Sequence, residues 1–375
     1  MRVLHVLPVM SMDGRFGGPQ TVCHVQAQAL VDRGHRVDIA AAWLGAGSPE
    51  AAAVDEGIKL VVFAGHRMGP TAFSGIVAPR LILWAQGAGC NYDVMHLHTG
   101  RHLTSLMVGR VLSRRLPFVV QPHGMLPARD GCLLRAFDDA LVRPVLRRAR
   151  GLLALTDGEA SELADMGAGR IPVERVVNAV PVSPAQTGMR RQGHVVFLGR
   201  LHERKQPLVL LEAVARLRGA GFRLTLEFVG PDEGQLRVLR ARAAACGLEG
   251  RVTFRGAVGR EVATQIMASA DIFVLPSRDE PFPMAPLEAM SLGVPVVITT
   301  SCGLAEFCAD AGAAGIAAPT VDGIAREIQG LLESPSLRAE RVERARQLLG
   351  TVFSPPALAC RLENLYAAAI GGWAS

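Results

Sequence analysis

A chain of 375 residues that is 49% apolar and 20% charged is too long for one ordinary core and too apolar to stay unfolded, so two globular domains are expected. The net charge of +6 favours anionic substrates or surfaces; no nucleic-acid partner is expected. Seven cysteines, an odd number without a C-x-x-C pair, indicate reduced thiols and a cytoplasmic protein, and no apolar run reaches the length of a membrane span.

The first segment, Met1 to Pro8, is too short for a signal-peptide core and reads as a strand over Val3–Leu7. Arg15-Phe16-Gly17-Gly18-Pro19-Gln20 follows. Paired glycines permit close backbone approach, and a helix N-terminus favours phosphate; a tight turn is the plain alternative. The pattern is not G-x-G-x-x-G, and Asp38 falls inside the next strand instead of at its end, which argues against a dinucleotide cofactor. A helix is expected from about Pro19 to Arg33, capped by Gly34. Further strands are expected at Arg36–Ala40, Lys59–Phe63, Val94–His98, Phe118–Gln121, Leu152–Leu155 and Arg175–Asn178. Strand-like runs alternating with helical ones predict parallel βαβ units. His96 and His98 alternate on one strand and read as structural or acceptor-side groups. His123, just past the strand Phe118–Gln121, stands where α/β sheets bind ligands. The Arg-rich, apolar stretch Leu133–Arg150 reads either as a solvated helix with one buried face or as a surface that lies on anionic lipid.

Pro181 to Gly188 is rich in turn formers and forms the expected linker, dividing a first domain (1–185) from a second (186–354). The second restarts the pattern with strands at Val195–Leu198, Thr225–Val229, Val252–Arg255, Ile272–Leu275 and Val296–Ile298. Helices are expected over 321–333, 336–349 and 355–370. Only Lys59 and Lys205 are lysines among 40 basic residues. A lysine within Gly199-Arg200-Leu201-His202-Glu203-Arg204-Lys205, straight after a strand, suggests a need for a compact ammonium that meets phosphate oxygens. Between Asp271 and Met290 the chain reads as a buried strand, a Pro-rich turn and a short helix. Glu280 and Glu288 flank that turn, eight positions apart. Helix-terminal N–H groups there suit a hydroxylated, anionic ligand such as a sugar nucleotide.

Glu280-x7-Glu288, Gly199-Arg200-x4-Lys205 and Gly17-Gly18, which occur in the family's order along the chain, together resemble the retaining GT-B glycosyltransferases of family four. The resemblance covers nearly the whole chain. Pro122-His123-Gly124-Met125-Leu126 is similar to the branch that builds bacterial surface and exported polysaccharides. The resemblance implies an α/β, GT-B fold of two Rossmann-like domains facing across a cleft, with a terminal helix (355–375) crossing back to the first domain. It implies a nucleoside-diphosphate sugar as co-substrate, no other cofactor and no metal. The acceptor would be a glycan or a lipid-linked glycan, at the inner face of the cytoplasmic membrane. By the same resemblance Gly17, Gly18, Arg200 and Lys205 bind the diphosphate; Glu280, Met284 and Ala285 bind the donor sugar; Glu288 binds the ribose; and His123, with Glu280, meets the reacting sugar. Pro283 stands where the family commonly has Gly, which removes one backbone donor. A GT-B sugar-nucleotide epimerase and a non-catalytic nucleotide-sugar-binding subunit are the alternatives.

Overall fold

The computed structural model of the protein describes residues 1–11, 17–45, 57–68, 75–127, 131–169, 171–182 and 190–372. They form two compact units: residues 1–179 together with the C-terminal stretch from 355 make one, and residues 180–354 make the other. The linker expected at 181–188 falls largely outside the described residues.

The first unit runs β1 (Arg2–Met10), α1 (Gly17–Val31), β2 (Arg36–Trp43), β3 (Lys59–Ala64), β4 (His66–Arg67), β5 (Ile76–Val77), α2 (Pro79–Ala88), β6 (Val94–His98), α3 (Leu103–Leu112), β7 (Phe118–Gln121), α4 (Cys132–Phe137), α5 (Arg143–Leu146), β8 (Gly151–Ala154), α6 (Asp157–Leu163) and β9 (Val173–Arg175). Its main sheet has the order β3-β2-β1-β6-β7-β8-β9, and every pair in it is parallel. β4 and β5 form a separate antiparallel pair. β1 is buried along eight of its nine residues, as expected of a strand covered on both faces. One face packs Leu4, Val6, Met95 and Leu97 against α2 and α3. The other packs Val3, Leu7 and Val94 against α1 and the C-terminal helix.

The last strand of this sheet was expected at Arg175–Asn178 and instead spans Val173–Arg175. Its register with β8 runs from Leu152↔Val173 to Ala154↔Arg175. β8 ends at Ala154, whose carbonyl accepts from Val176 N–H at 2.9 Å; beyond that the chain has no residue of β8 to pair with.

The second unit runs β10 (His194–Leu198), α7 (Pro207–Gly219), β11 (Thr225–Val229), α8 (Leu236–Ala245), β12 (Val252–Gly256), α9 (Arg260–Ala268), β13 (Ile272–Leu275), α10 (Met284–Ser291), β14 (Val296–Thr299), α11 (Ala305–Ala311), β15 (Gly315–Ala317), α12 (Val321–Glu333) and α13 (Pro335–Thr351). Its sheet order is β12-β11-β10-β13-β14-β15, again parallel throughout. The closing helix, α14 (Pro355–Gly371), belongs to the first unit. Leu358, Ala359, Leu362, Leu365, Tyr366 and Ala369 make its buried stripe, at the spacing of one helix face. Glu363 on its outer side accepts from Arg33 at 2.7 and 2.8 Å and lies 2.7 Å from His35 Nε2.

Counting only the strands of each main sheet, the second has the order 3-2-1-4-5-6 and the first the same order extended by a seventh edge strand, the pattern of doubly wound dinucleotide-type folds. The chain reverses its direction of growth between β1 and β6 in one unit and between β10 and β13 in the other. Ligands of such sheets bind beyond the carboxyl ends of the strands at that reversal.

Candidate active site

Four of the site loops leave the strands at, or next to, the two reversal points. In the first unit Gly17 and Gly18 open α1 after β1; Arg15 and Phe16 lie outside the described residues. Gln20 ties the helix start to the strand end, accepting from Ser11 N–H at 3.1 Å and donating to Ser11 O at 3.0 Å. A Cβ on Gly18 would meet nothing within 4 Å. Asp38 sits within β2 and accepts from Tyr92 Oη at 2.7 Å.

His123 follows β7 and has a left-handed backbone, φ 57°, beside Gly124 at φ 71°. That conformation is unfavourable for a side-chain-bearing residue, so the surroundings must impose it. Glu159 does so: it accepts from Gly124 N–H at 2.6 Å and from Leu155 N–H at 2.8 Å. Glu159 is buried, and burial raises its pKa against the pull of those two bonds. The motif Thr156-x-x-Glu159 carries the signal of a capping box, and Thr156 does cap α6 by accepting from Glu159 N–H. Glu159 departs from the usual box by reaching two other backbone donors. His123 Nε2 lies 2.8 Å from His98 Nδ1, and burial pushes the His123 imidazole down to about 3. It is therefore neutral near pH 7. His96 and His98 are both fully buried.

In the second unit the loops after the adjacent strands β10 and β13 are knitted together. Arg278 N–H donates to Arg204 O at 2.8 Å. With its amide turned so that both ends meet matching partners, Gln206 donates to Pro276 O at 2.9 Å and accepts from Arg278 Nε at 3.0 Å. Lys205 Nζ lies 2.5 Å from Glu280 Oε2, with the two side chains only 13% and 11% exposed. The two residues singled out from distant motifs thus meet as an ion pair. Left-handed residues at Gln206 and Asp279, both at φ 48°, mark the two bends that bring them together.

Arg200 is placed differently. Its Nη1 bridges both oxygens of Glu233 at 3.0 Å in an exposed pair. Beneath it, Gly230 adopts φ 139°, and a Cβ there would stand 2.0 Å from the Gly199 carbonyl oxygen. Only glycine lets the β11 end pass so close.

α10 begins at Met284, with Pro283 as its N-cap and no side chain capping it. The aromatic group Phe282, Phe307 and Phe353, with ring centres 5.4–6.5 Å apart, anchors the turn before it. Met284 is buried and Ala285 half-buried; both are in the first turn, where N–H groups lack helix partners. Glu288, one turn further, is half-buried; its backbone carbonyl accepts from Ser291 and Leu292, but its carboxylate has no hydrogen-bond partner among the described residues, and burial raises its pKa against the opposing pull of Arg260. A half-buried carboxylate with open lone pairs is suited to accept from ligand hydroxyls.

Two family models match the chain, "Glycosyl transferases group 1" over residues 185–348 and "Glycosyl transferase 4-like domain" over residues 17–179. A D-inositol 3-phosphate glycosyltransferase of Streptosporangium roseum is 30% identical over 317 residues, 74% of this chain and 70% of that protein. The chain belongs to the family-four glycosyltransferases of GT-B fold. A phosphatidyl-myo-inositol mannosyltransferase of Mycolicibacterium smegmatis is 28% identical over 350 residues, 88% of this chain and 85% of that protein. The crystal structure of Anabaena Alr3699/HepE in complex with UDP and glucose superposes with a TM-score of 0.76 at 21% identity, covering 98% of this chain and 100% of that one. Among the described residues of this glycosyltransferase no helix is long and apolar enough to cross a membrane.

Sequence reasoning missed Glu159, Gln206, Gly230 and Glu233 as residues that shape these loops. Glu159 had its capping-box spacing as a signal, and Gly230 its place directly after a strand. Gln206 and Glu233 had none, because their roles depend on partners set by the fold.

Proposed function

We propose that this glycosyltransferase moves a hexose from a nucleoside diphosphate to an acceptor hydroxyl with retention and without a metal. The observation that carries the reading is the Lys205–Glu280 pair at the β10/β13 reversal, beside the uncapped start of α10. A sugar diphosphate brings negative charge for the ammonium and hydroxyls for the carboxylate, so one ligand satisfies both groups. Lys205, with Arg200 and the Gly17-Gly18 helix start, stabilises charge on the departing diphosphate by preorganised electrostatics. Met284 and Ala285 N–H groups and Glu280 hold the sugar, Glu288 accepts from the ribose hydroxyls, and His123 meets the transferred sugar. Support comes from the ordered motifs, from HepE, whose crystals held UDP and glucose, and from a mannosyltransferase relative named for a lipid acceptor.

The acceptor in this reading is a glycan or lipid-linked glycan in surface-polysaccharide assembly, used at the inner face of the cytoplasmic membrane. α4 presents Leu133, 85% exposed, beside Arg135, and Arg147 and Arg148 are exposed further along. Exposed apolar and cationic side chains within one segment suit anionic lipid. Release of nucleoside diphosphate from a panel of UDP-, GDP-, ADP- and dTDP-hexoses, with and without phosphatidylinositol vesicles or a lipid-linked glycan, tests the reaction. Acceptor-dependent release from at least one donor is expected; none from any would refute transfer. Sedimentation with phosphatidylglycerol vesicles, lost in Leu133→Glu, tests the surface.

A further inference from the structure

The first unit holds a run of hydrogen-bonded histidines that the transfer chemistry above leaves unexplained. His5 on β1 is in register with His96 on β6, and His98 lies two residues on, on the same face. All three are fully buried. They point toward α1 and α14: His5 Nδ1 is 3.5 Å from Cys23 Sγ, and His96 Nδ1 is 2.8 Å from Tyr366 Oη.

His5 Nδ1 lies 2.8 Å from His98 Nε2, and His98 Nδ1 lies 2.8 Å from His123 Nε2. In both pairs the ring centres are 5.1 Å apart and the planes nearly parallel, at 21° and 11°. With ring bonds of about 1.33 Å, an imidazole nitrogen lies roughly 1.1 Å from its ring centre. The centre spacing therefore equals the N···N distance plus two ring radii, so the rings meet edge to edge along straight N–H···N bonds. His96 stands aside from this chain, stacked on His98 at 4.2 Å.

Ring nitrogens of His5, His96 and His98 lie within 4.8 Å of one another, which raises the question of a metal ion. A metal needs each lone pair aimed at one point. Here His5 Nδ1 and His98 Nε2 aim at each other with a proton between them, and the other nitrogen of His98 is committed to His123. The arrangement is a hydrogen-bond chain and not a ligand set.

Burial lowers the pKa of His5, His98 and His123 alike, so near pH 7 each ring carries one N–H and one lone pair. Neutral rings bonded head to tail must all point the same way. If the chain points outward, His5 and His98 donate from Nδ1 and His123 keeps its proton on Nδ1. If it points inward, His123 donates from Nε2 and the last proton ends on His5 Nε2. That nitrogen is buried and has no partner. An orphaned buried N–H is the rarer defect than an unmet acceptor. The outward sense also leaves His5 Nδ1–H within reach of a second, weak acceptor, Cys23 Sγ. His123 Nδ1 itself has no partner among the described residues.

We infer that His5 and His98 are positioning residues that hold His123 as its Nδ1–H tautomer, so that His123 offers a hydrogen-bond donor, and not a base, to a sugar oxygen. The ligand half of this rests on the transfer reading; the tautomer half stands on the chain alone. The test is long-range ¹H–¹⁵N correlation on the full-length, deuterated, ¹⁵N-histidine protein at pH 7, assigned with His123→Asn. A protonated Nδ1 and bare Nε2 on His123, with ¹⁵N–¹⁵N coupling to His98 across the bond, is expected. A protonated Nε2 on His123, or no coupling, overturns the inference. His5→Gln keeps an N–H that can reach His98 and should preserve the tautomer, whereas His5→Met should release it to a mixture. If His5→Met fails to fold, the wild-type spectrum decides alone. With a donor that wild type uses, His5→Met should lower kcat by about 10- to 100-fold, approaching the loss of one preorganised donor, while His5→Gln and nucleoside diphosphate affinity stay near wild type. Equal kcat in the two variants overturns the role in transfer. Absence of transfer in wild type sinks the glycosyltransferase chemistry instead and leaves the spectrum to decide the tautomer.

Discussion

Removing the charge of Glu280 should tighten binding of bare nucleoside diphosphate while crippling sugar transfer. Loss of a carboxylate that met only the donor sugar would barely alter binding of the bare diphosphate; the pair with Lys205 changes that expectation. Lys205 Nζ and Glu280 Oε2 are 2.5 Å apart with little exposure. At an effective dielectric constant near 20, unit charges at that spacing attract by about 6–7 kcal/mol. Desolvation of both groups offsets most of this. The net coupling then falls between the ~1 kcal/mol of exposed pairs and the roughly 3–5 kcal/mol lost when a fully buried pair is broken. A diphosphate that takes Lys205 must displace Glu280 and then sit near a carboxylate left with only its longer pair to Arg204, at 3.8 Å. Glu280→Gln removes both penalties, which corresponds to about 1–2 kcal/mol, or roughly 5- to 30-fold in Kd.

Calorimetric titration of UDP, GDP and ADP into wild type, Glu280→Gln, Lys205→Met and the double variant would read this directly as a cycle. Lys205→Met should weaken binding, and in its background Glu280→Gln should gain much less. Transfer by Glu280→Gln should fall by one to two orders of magnitude, about the 1.5–3 kcal/mol of a charged hydrogen bond. Unchanged or weaker diphosphate binding by Glu280→Gln, with Lys205 intact, would remove Lys205 from the phosphate site.

Burial raises the Glu288 pKa, so nucleoside diphosphate affinity should drop on acidification through a midpoint above the ordinary value of about 4.3, and Glu288→Gln should abolish that titration. For the fold the sign is reversed: a raised folded pKa contributes stability that is present below the unfolded pKa and lost as pH rises through the folded one, which Glu288→Gln should flatten in pH-dependent melting. Gly230→Ala, forced against the Gly199 carbonyl at positive φ, should destabilise by more than about 2 kcal/mol, whereas Gly219→Ala, with nothing near its Cβ, should be neutral or stabilising in the same melts. Transfer should persist in excess EDTA; activity abolished by EDTA and restored by magnesium or manganese would mean that a cation does the work assigned to Lys205.

The alternating strand and helix pattern was legible because strands buried on both faces read as continuous apolar runs, as in Ile272–Leu275 and Val195–Leu198. β15 was not legible, since Gly315-Ile316-Ala317 has too few side chains to show a period. The seventh strand of the first unit shifted because its length is set by β8, a neighbour and not a local propensity. Glu280, Lys205 and Glu288 were legible as types at loop positions. Their partners were not: Lys205 and Glu280 lie 75 residues apart, and which charge meets which depends on the bends at Gln206 and Asp279. The same holds for His5 and His98, whose bond crosses between strands 93 residues apart in sequence.

Proline use at α10 binds these observations together. The expected loss of a backbone donor at Pro283 is joined by a second, because Pro283 is the N-cap and Pro286 falls at the third helical position. Neither carries an N–H. Of the donors that usually crowd a helix start, only those of Met284 and Ala285 remain. A helix end thinned in this way attracts an anion less strongly, so more of the charge that holds a diphosphate must come from a side chain. In a chain with only two lysines among its 40 basic residues, that is the position at which one of them, held at 2.5 Å by Glu280, is found.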